Sequence, residues 1–213
     1  MFWVRCVACL PLLLLLGAAP AAMTIDDFDN GLAACWQQKV FRGKTDYRIE
    51  SDPSGGGWLR SEAAGTASAL ACKISFRPAD WPVLSWRWKI DHVHPKGDAR
   101  IRAGDDYPAR VYVVFPHWFV PKTRALNYVW ANRLPRGSFV PSPYTGNSVM
   151  IAVESGNDRA GQWIAERRNL LEDYRRAFGE DPPEAGAVAV MTDGDDTGGR
   201  VTAWYDAIRL LRD

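Results

Sequence analysis

The chain has 213 residues, of which 47% are hydrophobic, 12% aromatic and 24% charged. This composition excludes a disordered tail, a collagen-like fibre and a coiled coil, and a chain of this length fits one domain with one core. The 26 Lys and Arg residues nearly balance the 25 Asp and Glu residues and form no basic cluster. Nucleic acid and anionic lipid are therefore not expected as partners.

Residues 1–21 have the features of an export signal. Arg5 precedes an apolar run from Cys6 to Ala19, which is too short to anchor the chain in a bilayer. Ala19-Pro20-Ala21 supplies the small residues that signal peptidase needs, and no later run is long and apolar enough for a membrane span. We therefore expect a periplasmic or secreted protein in which residues 22–213 form a single domain.

Two cysteines, Cys35 and Cys72, remain once the signal is removed. A pair of cysteines in an oxidising compartment favours a disulfide, which would stabilise a loop of this size by about 3–4 kcal/mol. The alternative is two buried thiols that never meet. Neither cysteine lies in a CxxC pattern, so redox catalysis and zinc binding through sulfur are not expected.

The hydrophobic pattern is mostly of period two. In Leu84–Ile90 apolar and polar residues alternate strictly, which is typical of a strand covered on one face and places Trp86 and Trp88 in the core. Gly, Pro, Asn and Asp clusters separate such segments, which predicts a mostly β protein built as a single-domain antiparallel β-sandwich. The predicted strands, in chain order, are 24–28, 70–75, 84–90, 110–115, 127–131, 148–154, 187–191 and 203–210.

One segment, residues 170–178, follows helical spacing instead, with apolar residues at 170, 171, 174 and 178. Asn169 can cap its start, with Glu172 as the capping-box partner, and Gly179 is placed to end it. The following Pro182-Pro183 prevents the helix from resuming. We expect one short helix inserted in the sandwich.

Several motifs spread along the chain resemble one exported bacterial family that is catalogued only as a domain of unknown function. The resemblance covers essentially the whole chain after the signal. It implies an extracytoplasmic bacterial protein, and it brings no established activity or catalytic residue. The motifs are Gly-Asp-Asp-Tyr at 104–107, Ala-Arg-Val-Tyr-Val-Val-Phe at 109–115, Asn-Tyr-Val-Trp at 127–130, Ser-Pro-Tyr at 142–144, Ala-Val-Glu-Ser-Gly at 152–156, Glu-Arg-Arg-Asn at 166–169 and Ala-Val-Met-Thr-Asp at 189–193.

A second, looser resemblance concerns the two ends of the chain. Asp26-Asp27-Phe28 and the segment 204–210 are similar to the corresponding parts of galactose-binding-type jelly-roll carbohydrate-binding modules. In those modules the first and last strands often lie close and can share a structural calcium. The resemblance implies a sandwich of jelly-roll type, with Asp26, Asp27 and Asp206 as candidate calcium ligands. The alternative is that they are ordinary turn and capping aspartates.

The loop 193–199, Asp-Gly-Asp-Asp-Thr-Gly-Gly, also invites a calcium interpretation. It does not fit an EF-hand, because the twelfth position counted from Asp193 is Trp204 and not Glu. We predict instead a hairpin connection between the last two strands, which accounts for the Gly and Asp content without an ion.

A polar sheet face is the candidate binding surface. Arg110 and Tyr112 share one face of their strand, and Glu154 ends another strand on the same face as Met150. If these strands adjoin, the face suits hydroxyl-rich or carboxylated ligands through charge-assisted bonds. The alternative is a solvated face with cross-strand ion pairs. The further candidate ligand-binding residues are Arg87, which points away from the tryptophans of its strand, Asp105 and Asp106 in a family-like motif, and Tyr144 and Trp118 as an aromatic rim in proline-bracketed loops.

These observations lead to the hypothesis of an exported envelope protein that binds a glycan or glycan-like ligand. One alternative is a carbohydrate hydrolase or lyase that uses Asp105, Asp106, Glu154 and Arg110. The other is a non-catalytic structural or interaction protein. Three or more titratable groups converging in one deep pocket would favour the enzyme, and an open groove lined by aromatic rings would favour the binding protein.

Overall fold

The structure is a computed structural model that describes residues 21–53 and 55–212. The predicted export signal, residues 1–21, therefore lies outside the described residues except for its last position. Within the described ranges, no helix has both the length and the hydropathy that a membrane span requires.

Thirteen strands and one α-helix make up the regular structure of the described residues. The strands are β1 (Ala22–Asp26), β2 (Trp36–Arg42), β3 (Asp46–Ser51), β4 (Gly57–Ala64), β5 (Ala67–Phe76), β6 (Val83–Ile90), β7 (Ala109–Phe115), β8 (Arg124–Ala131), β9 (Phe139–Pro141), β10 (Ser148–Ser155), β11 (Ile164–Asn169), β12 (Ala185–Asp193) and β13 (Arg200–Leu211). The helix is α1 (Leu170–Phe178), and short 3-10 turns occupy Arg102–Gly104 and Val120–Lys122.

The strands form two sheets that pack face to face. The six-stranded sheet has the order β11-β6-β13-β4-β3, with β1 paired to β13, and the seven-stranded sheet has the order β2-β5-β12-β7-β8-β10-β9. All pairs are antiparallel except β8 and β10, which run parallel. The predicted mostly-β sandwich of jelly-roll type is confirmed. Its first and last strands adjoin, since Thr24 lies opposite Arg209.

The core between the sheets is rich in aromatic rings. Trp86 and Trp88 are 2% and 0% exposed, as the alternation in their strand predicts. Trp86 lies 5.3 Å from Tyr128 and Trp88 lies 5.8 Å from Trp130, measured between ring centroids, so β6 of one sheet meets β8 of the other through tilted aromatic pairs. Such pairs contribute about 0.5–1.5 kcal/mol each beyond the area that they bury.

A disulfide joins Cys35 to Cys72, as the sequence predicts. Cys72 lies in β5, and Cys35 directly precedes β2, whose first residue, Trp36, pairs with Cys72 in the ladder. The bond therefore fixes β2, the edge strand of the seven-stranded sheet, to its neighbour.

Helix α1 begins and ends at the predicted residues. The Asn169 side chain accepts hydrogen bonds from the backbone N–H groups of Leu171 and Glu172, which satisfies two free donors at the helix start. Gly179 adopts a left-handed conformation with φ of 76° and donates to the Arg175 carbonyl. The predicted helix is confirmed, and its Tyr174 ring packs 4.6 Å from Phe115 at the end of the sandwich.

The connection between the last two strands differs from the prediction. β12 belongs to the seven-stranded sheet and β13 to the six-stranded sheet, so loop 194–199 crosses from one sheet to the other. The predicted hairpin was wrong because a hairpin requires its two strands to be neighbours in one sheet. We refer to residues 194–199 as the crossover loop.

Candidate functional site

A cavity of about 400 Å³ lies on the outer face of the seven-stranded sheet, the face directed away from the core between the sheets. Ala67, Ala69 and Met191 form a small buried cluster on this face, separate from the main core, and Tyr112 packs against it. The lining residues are Phe41, Arg42, Ala67, Asp105, Arg110, Tyr112, Tyr144, Met191, Asp193, Asp195 and Asp196.

Loops cover the other half of the same sheet face. Outer residues of β8 and β10, among them Val129 and Met150, form a second buried cluster with loop residues Ala99, Tyr107 and Leu134. The cavity therefore occupies the part of the face that loops leave open, over β5, β12 and β7.

Arg110 lies at the floor of the cavity, with its charge already paired. Its Nε donates to Asp193 Oδ1 at 2.9 Å and its Nη2 donates to Asp193 Oδ2, a bidentate pair in which both residues are almost fully buried. Nη1 lies 3.7 Å from Asp105 Oδ2, and the guanidinium stacks 4.3 Å from the Tyr107 ring centroid. Burial raises the pKa of Asp193, while the Arg110 guanidinium opposes that rise and favours the ionised carboxylate.

The acidic end of the cavity is formed by two loops. Asp106, which is fully buried in the loop before β7, accepts hydrogen bonds from the backbone N–H groups of Asp196 at 3.3 Å and Thr197 at 2.5 Å. One carboxylate oxygen from each of Asp106, Asp195 and Asp196 lies within 4.8 Å of the other two. Burial raises the pKa of Asp105, and the Arg110 charge opposes that rise. These contacts hold the crossover loop against the cavity.

Aromatic side chains form the cavity walls. Tyr144 is 52% exposed and its hydroxyl donates to Asp196 Oδ2 at 2.8 Å. Phe41, at the end of β2, is 58% exposed. Tyr112 is more deeply placed, with its hydroxyl 3.5 Å from Met191 Sδ, and burial raises the pKa of Tyr112 to about 12. The structure thus brings the predicted residues Asp105, Tyr112 and Tyr144 together with Arg110.

Glu154 does not belong to this group, which corrects the predicted polar face. A β-bulge shifts the pairing of β10 between Ala152 and Glu154, so Glu154 lies opposite Trp130, a core residue. One inserted residue turns the following side chain to the other side of the sheet. Glu154 instead contacts Arg159 at 2.6 Å and Arg136 at 3.5 Å.

Two further predicted residues also lie elsewhere. Arg87 is on β6 of the opposite sheet, where it pairs with Asp206 and stacks 4.9 Å from the Trp163 ring. Trp118 follows the far end of β7, about 17 Å along the strand from Arg110, and does not line the cavity. It is 90% exposed, in a proline-bracketed loop. Strand alternation shows which way a side chain points but not which sheet the strand joins.

The terminal aspartates do not fit the calcium site that the jelly-roll resemblance implies. Asp26 accepts hydrogen bonds on both oxygens, from the N–H groups of Phe28 and Ala33 and from Trp36 Nε1. Asp206 is paired with Arg87. Among the described residues, Asp27 joins no group of three acidic side chains close enough to share an ion. Asp26 thus matches the alternative of a turn and capping aspartate, while Asp206 lies within β13 as the partner of Arg87.

Sequence reasoning missed Asp193, Asp195, Asp196 and Phe41 as components of the cavity. Asp193 carried a usable signal, because it ends the family-like motif 189–193 and alternation places it on the same face as Met191. That signal becomes informative only when β12 is known to pair with β7, which sets Met191 opposite Arg110. Phe41 lies in an exposed edge strand with no alternation.

Solved structures share the fold. The family 11 carbohydrate-binding module of a cellulosomal cellulase from Clostridium thermocellum superposes with a TM-score of 0.51 at 12% identity, covering 92% of this chain and 97% of that chain. A carbohydrate-binding module described as specific for non-crystalline cellulose, CBM28, gives a TM-score of 0.45 at 14% identity, covering 87% of this chain and 92% of that chain. At such identities the likeness concerns the fold alone.

The sequence comparisons place the chain in a family. No curated protein sequence matches it. Residues 34–209 match the family described as "Protein of unknown function (DUF3047)". This confirms the family resemblance drawn from the motifs, and the chain belongs to the DUF3047 family.

Proposed function

We propose that this protein binds a glycan in the cavity on the outer face of the seven-stranded sheet. The observation that carries the proposal is that aromatic walls and a cluster of charged groups line one cavity of about 400 Å³. This volume is within the range of about 300–1,000 Å³ that is typical of small-molecule sites.

The chemistry of the lining suits a sugar. The partly exposed rings of Tyr144 and Phe41 can stack on the apolar C–H face of a pyranose. Asp195 and Asp196 can accept hydrogen bonds from sugar hydroxyls, and such charge-assisted bonds are stronger than neutral ones. Arg110 is 4% exposed and already bonded to Asp193, so it supports the cavity floor rather than extending into it.

The fold and the disulfide support the proposal in a secondary way. The family 11 module, which shares the sandwich, is a carbohydrate-binding module. Fold does not determine function, so the lining of the cavity is the main support for glycan binding. We also propose that residues 1–21 direct export to the bacterial envelope, where glycans are abundant. The Cys35–Cys72 bond supports an oxidising compartment.

A glycan array read with the wild-type protein identifies the ligand, and isothermal titration then gives its affinity for variants. Tyr144→Ala and Phe41→Ala should each weaken binding about tenfold, because each removes a stacking ring worth about 1 kcal/mol or more. Trp118→Ala is the matched control, since it removes a large exposed ring outside the cavity.

Two results would contradict this function. One is the absence of glycan binding by the wild-type protein on arrays that contain cell-wall and capsular polysaccharides. The other is a loss of affinity in Trp118→Ala with wild-type affinity in both cavity variants, which would move the site away from the cavity.

A carbohydrate hydrolase or lyase is the second candidate, and one observation favours it. Asp105, Asp193, Asp195 and Asp196 line the same cavity as Arg110, so more than three titratable groups converge there. Turnover assays on the bound polysaccharide test this candidate. Product release by the wild-type protein that is lost in Asp105→Asn would establish catalysis, and binding without turnover would exclude it for that substrate.

A further inference from the structure

Four aspartates crowd the acidic end of the cavity, where the loop before β7 meets the crossover loop. Asp106, Asp195 and Asp196 each direct a carboxylate oxygen to within 4.8 Å of the other two. This spacing fits a cation that lies about 2.4 Å from each oxygen, because calcium binds oxygen ligands at about 2.3–2.6 Å.

The cluster has little positive charge of its own. Among the described residues, no Lys, Arg or His nitrogen lies within 4.0 Å of the fully buried Asp106 carboxylate. Arg110 is bonded to Asp193. Arg42, whose side chain is 68% exposed, donates to the Asp195 backbone carbonyl at 3.2 Å and lies 4.0 Å from the Asp195 carboxylate. A buried carboxylate without a cation is strongly unfavourable. A cation bound from solution would therefore stabilise the cluster.

Asp105 gives an independent indication of a missing partner. It is 5% exposed, and among the described residues its Oδ1 has no hydrogen-bond partner. Asp105 lines the same cavity as Asp195 and Asp196. Buried polar atoms in proteins almost always have a partner, and a cation bound among these aspartates would supply one.

We propose that Asp105, Asp106, Asp195 and Asp196 form a calcium site at the acidic end of the cavity. All of its donors are carboxylate oxygens, which are the ligands that calcium prefers. Asp106 is held in place by the N–H groups of Asp196 and Thr197, so two loops are already fixed around the site. The proposal does not depend on glycan binding, and it places calcium far along the chain from Asp26.

Isothermal titration of CaCl₂ into the purified, EDTA-treated and desalted protein, without any sugar, tests the site. We expect a single binding event with a Kd of about 10⁻³ M or tighter, together with a higher melting temperature in calcium. The Asp195→Asn/Asp196→Asn variant should bind calcium at least about tenfold more weakly, since the charge of the ligands sets the affinity. Asp158→Asn/Asp181→Asn is the matched control, because both aspartates are exposed and the change in net charge is the same.

The proposal is overturned if calcium up to about 10⁻² M produces neither heat nor a thermal shift in the wild-type protein. It is also overturned if the Asp195→Asn/Asp196→Asn variant, shown to be folded by circular dichroism, binds calcium as tightly as the control variant. The wild-type titration decides the first point even if the variant is unstable. Because no sugar is present, a failure here leaves the glycan proposal separately testable.

Discussion

Glu166 is a carboxyl group buried between the two sheets, and we predict that it makes the protein less stable as the pH rises. It lies opposite Trp86 on β6, is 8% exposed, and its Oε1 has no hydrogen-bond partner among the described residues. Burial, with a further contribution from the Glu154 charge, raises the pKa of Glu166 to about 7. Arg136 and Arg159 oppose the rise, but both form their ion pairs with Glu154.

The sign and size of the effect follow from proton linkage. An unfolded chain ionises this group near pH 4.5, whereas the folded protein keeps its proton up to about pH 7. Between these values the folded state binds more protons than the unfolded state, so the free energy of unfolding falls as the pH rises. Each unit of pKa difference corresponds to about 1.4 kcal/mol, and the full interval therefore corresponds to about 3 kcal/mol.

Glu166→Gln removes this titration, and urea unfolding between pH 4.5 and pH 8 measures the consequence. The variant should match the wild type near pH 4.5 and exceed its stability by about 3 kcal/mol at pH 8. Glu62→Gln is a control with the opposite pH dependence. The hydrogen bond from Arg60 lowers the pKa of Glu62, so the stability that ionised Glu62 contributes is lost as the pH falls. Parallel pH profiles for the wild type and Glu166→Gln would refute the reasoning.

Three further predictions concern stability, each measured by urea unfolding at pH 7. Replacing Cys35 and Cys72 together by Ser should lower the free energy of unfolding by about 3 kcal/mol, and a loss below about 1 kcal/mol would contradict the role assigned to the bond. Arg110→Met should cost about 3–5 kcal/mol because it leaves Asp193 buried without its cation, and wild-type stability would show that the pair is unimportant. Gly179→Ala should cost about 1 kcal/mol because its φ of 76° is unfavourable for a side chain, and an unchanged or higher stability would argue against the left-handed helix end.

Every strand that the sequence predicted contributes residues to the core, but β2, β3, β4, β9 and β11 were not predicted. β4 was missed although it buries one face, because its buried positions Gly57, Leu59, Ser61 and Ala63 are mostly small or polar. β6 and β7 alternate between buried and more exposed residues, so their hydrophobic period is two. β2 and β3 are edge strands: in β2 only Trp36 is buried, whereas in β3 Tyr47 and Ile49 pack against the core and alternate with polar residues. A strand without a buried face has no reason to alternate, and charged residues on an edge guard it against pairing with other chains. β2 therefore leaves no hydrophobic pattern to find, whereas β3 has a short alternating pattern that was overlooked.

The candidate site was predictable only to the level of a strand face. The pattern of β7 correctly placed Arg110 and Tyr112 together on the face away from the core. It could not provide the partner of Arg110, because Asp193 lies 83 positions away and becomes a neighbour only through the order β12-β7. The wrong partner, Glu154, followed from assuming an unbroken strand, since a bulge has no signature in the alternation.

The crossover loop links the fold to both proposals. β12 ends at Asp193 in one sheet and β13 starts at Arg200 in the other, so the chain must leave the face of the seven-stranded sheet between them. Asp106 holds the loop by its N–H groups while Tyr144 bonds to the Asp196 carboxylate, which places the acidic cluster and the aromatic wall in direct contact. A hairpin at this position would keep both strands in one sheet and would remove the reason for aspartates to converge there. The crossover between the two sheets is thus the feature that assembles the site. This agrees with the tendency of binding residues to lie on loops held by a rigid scaffold.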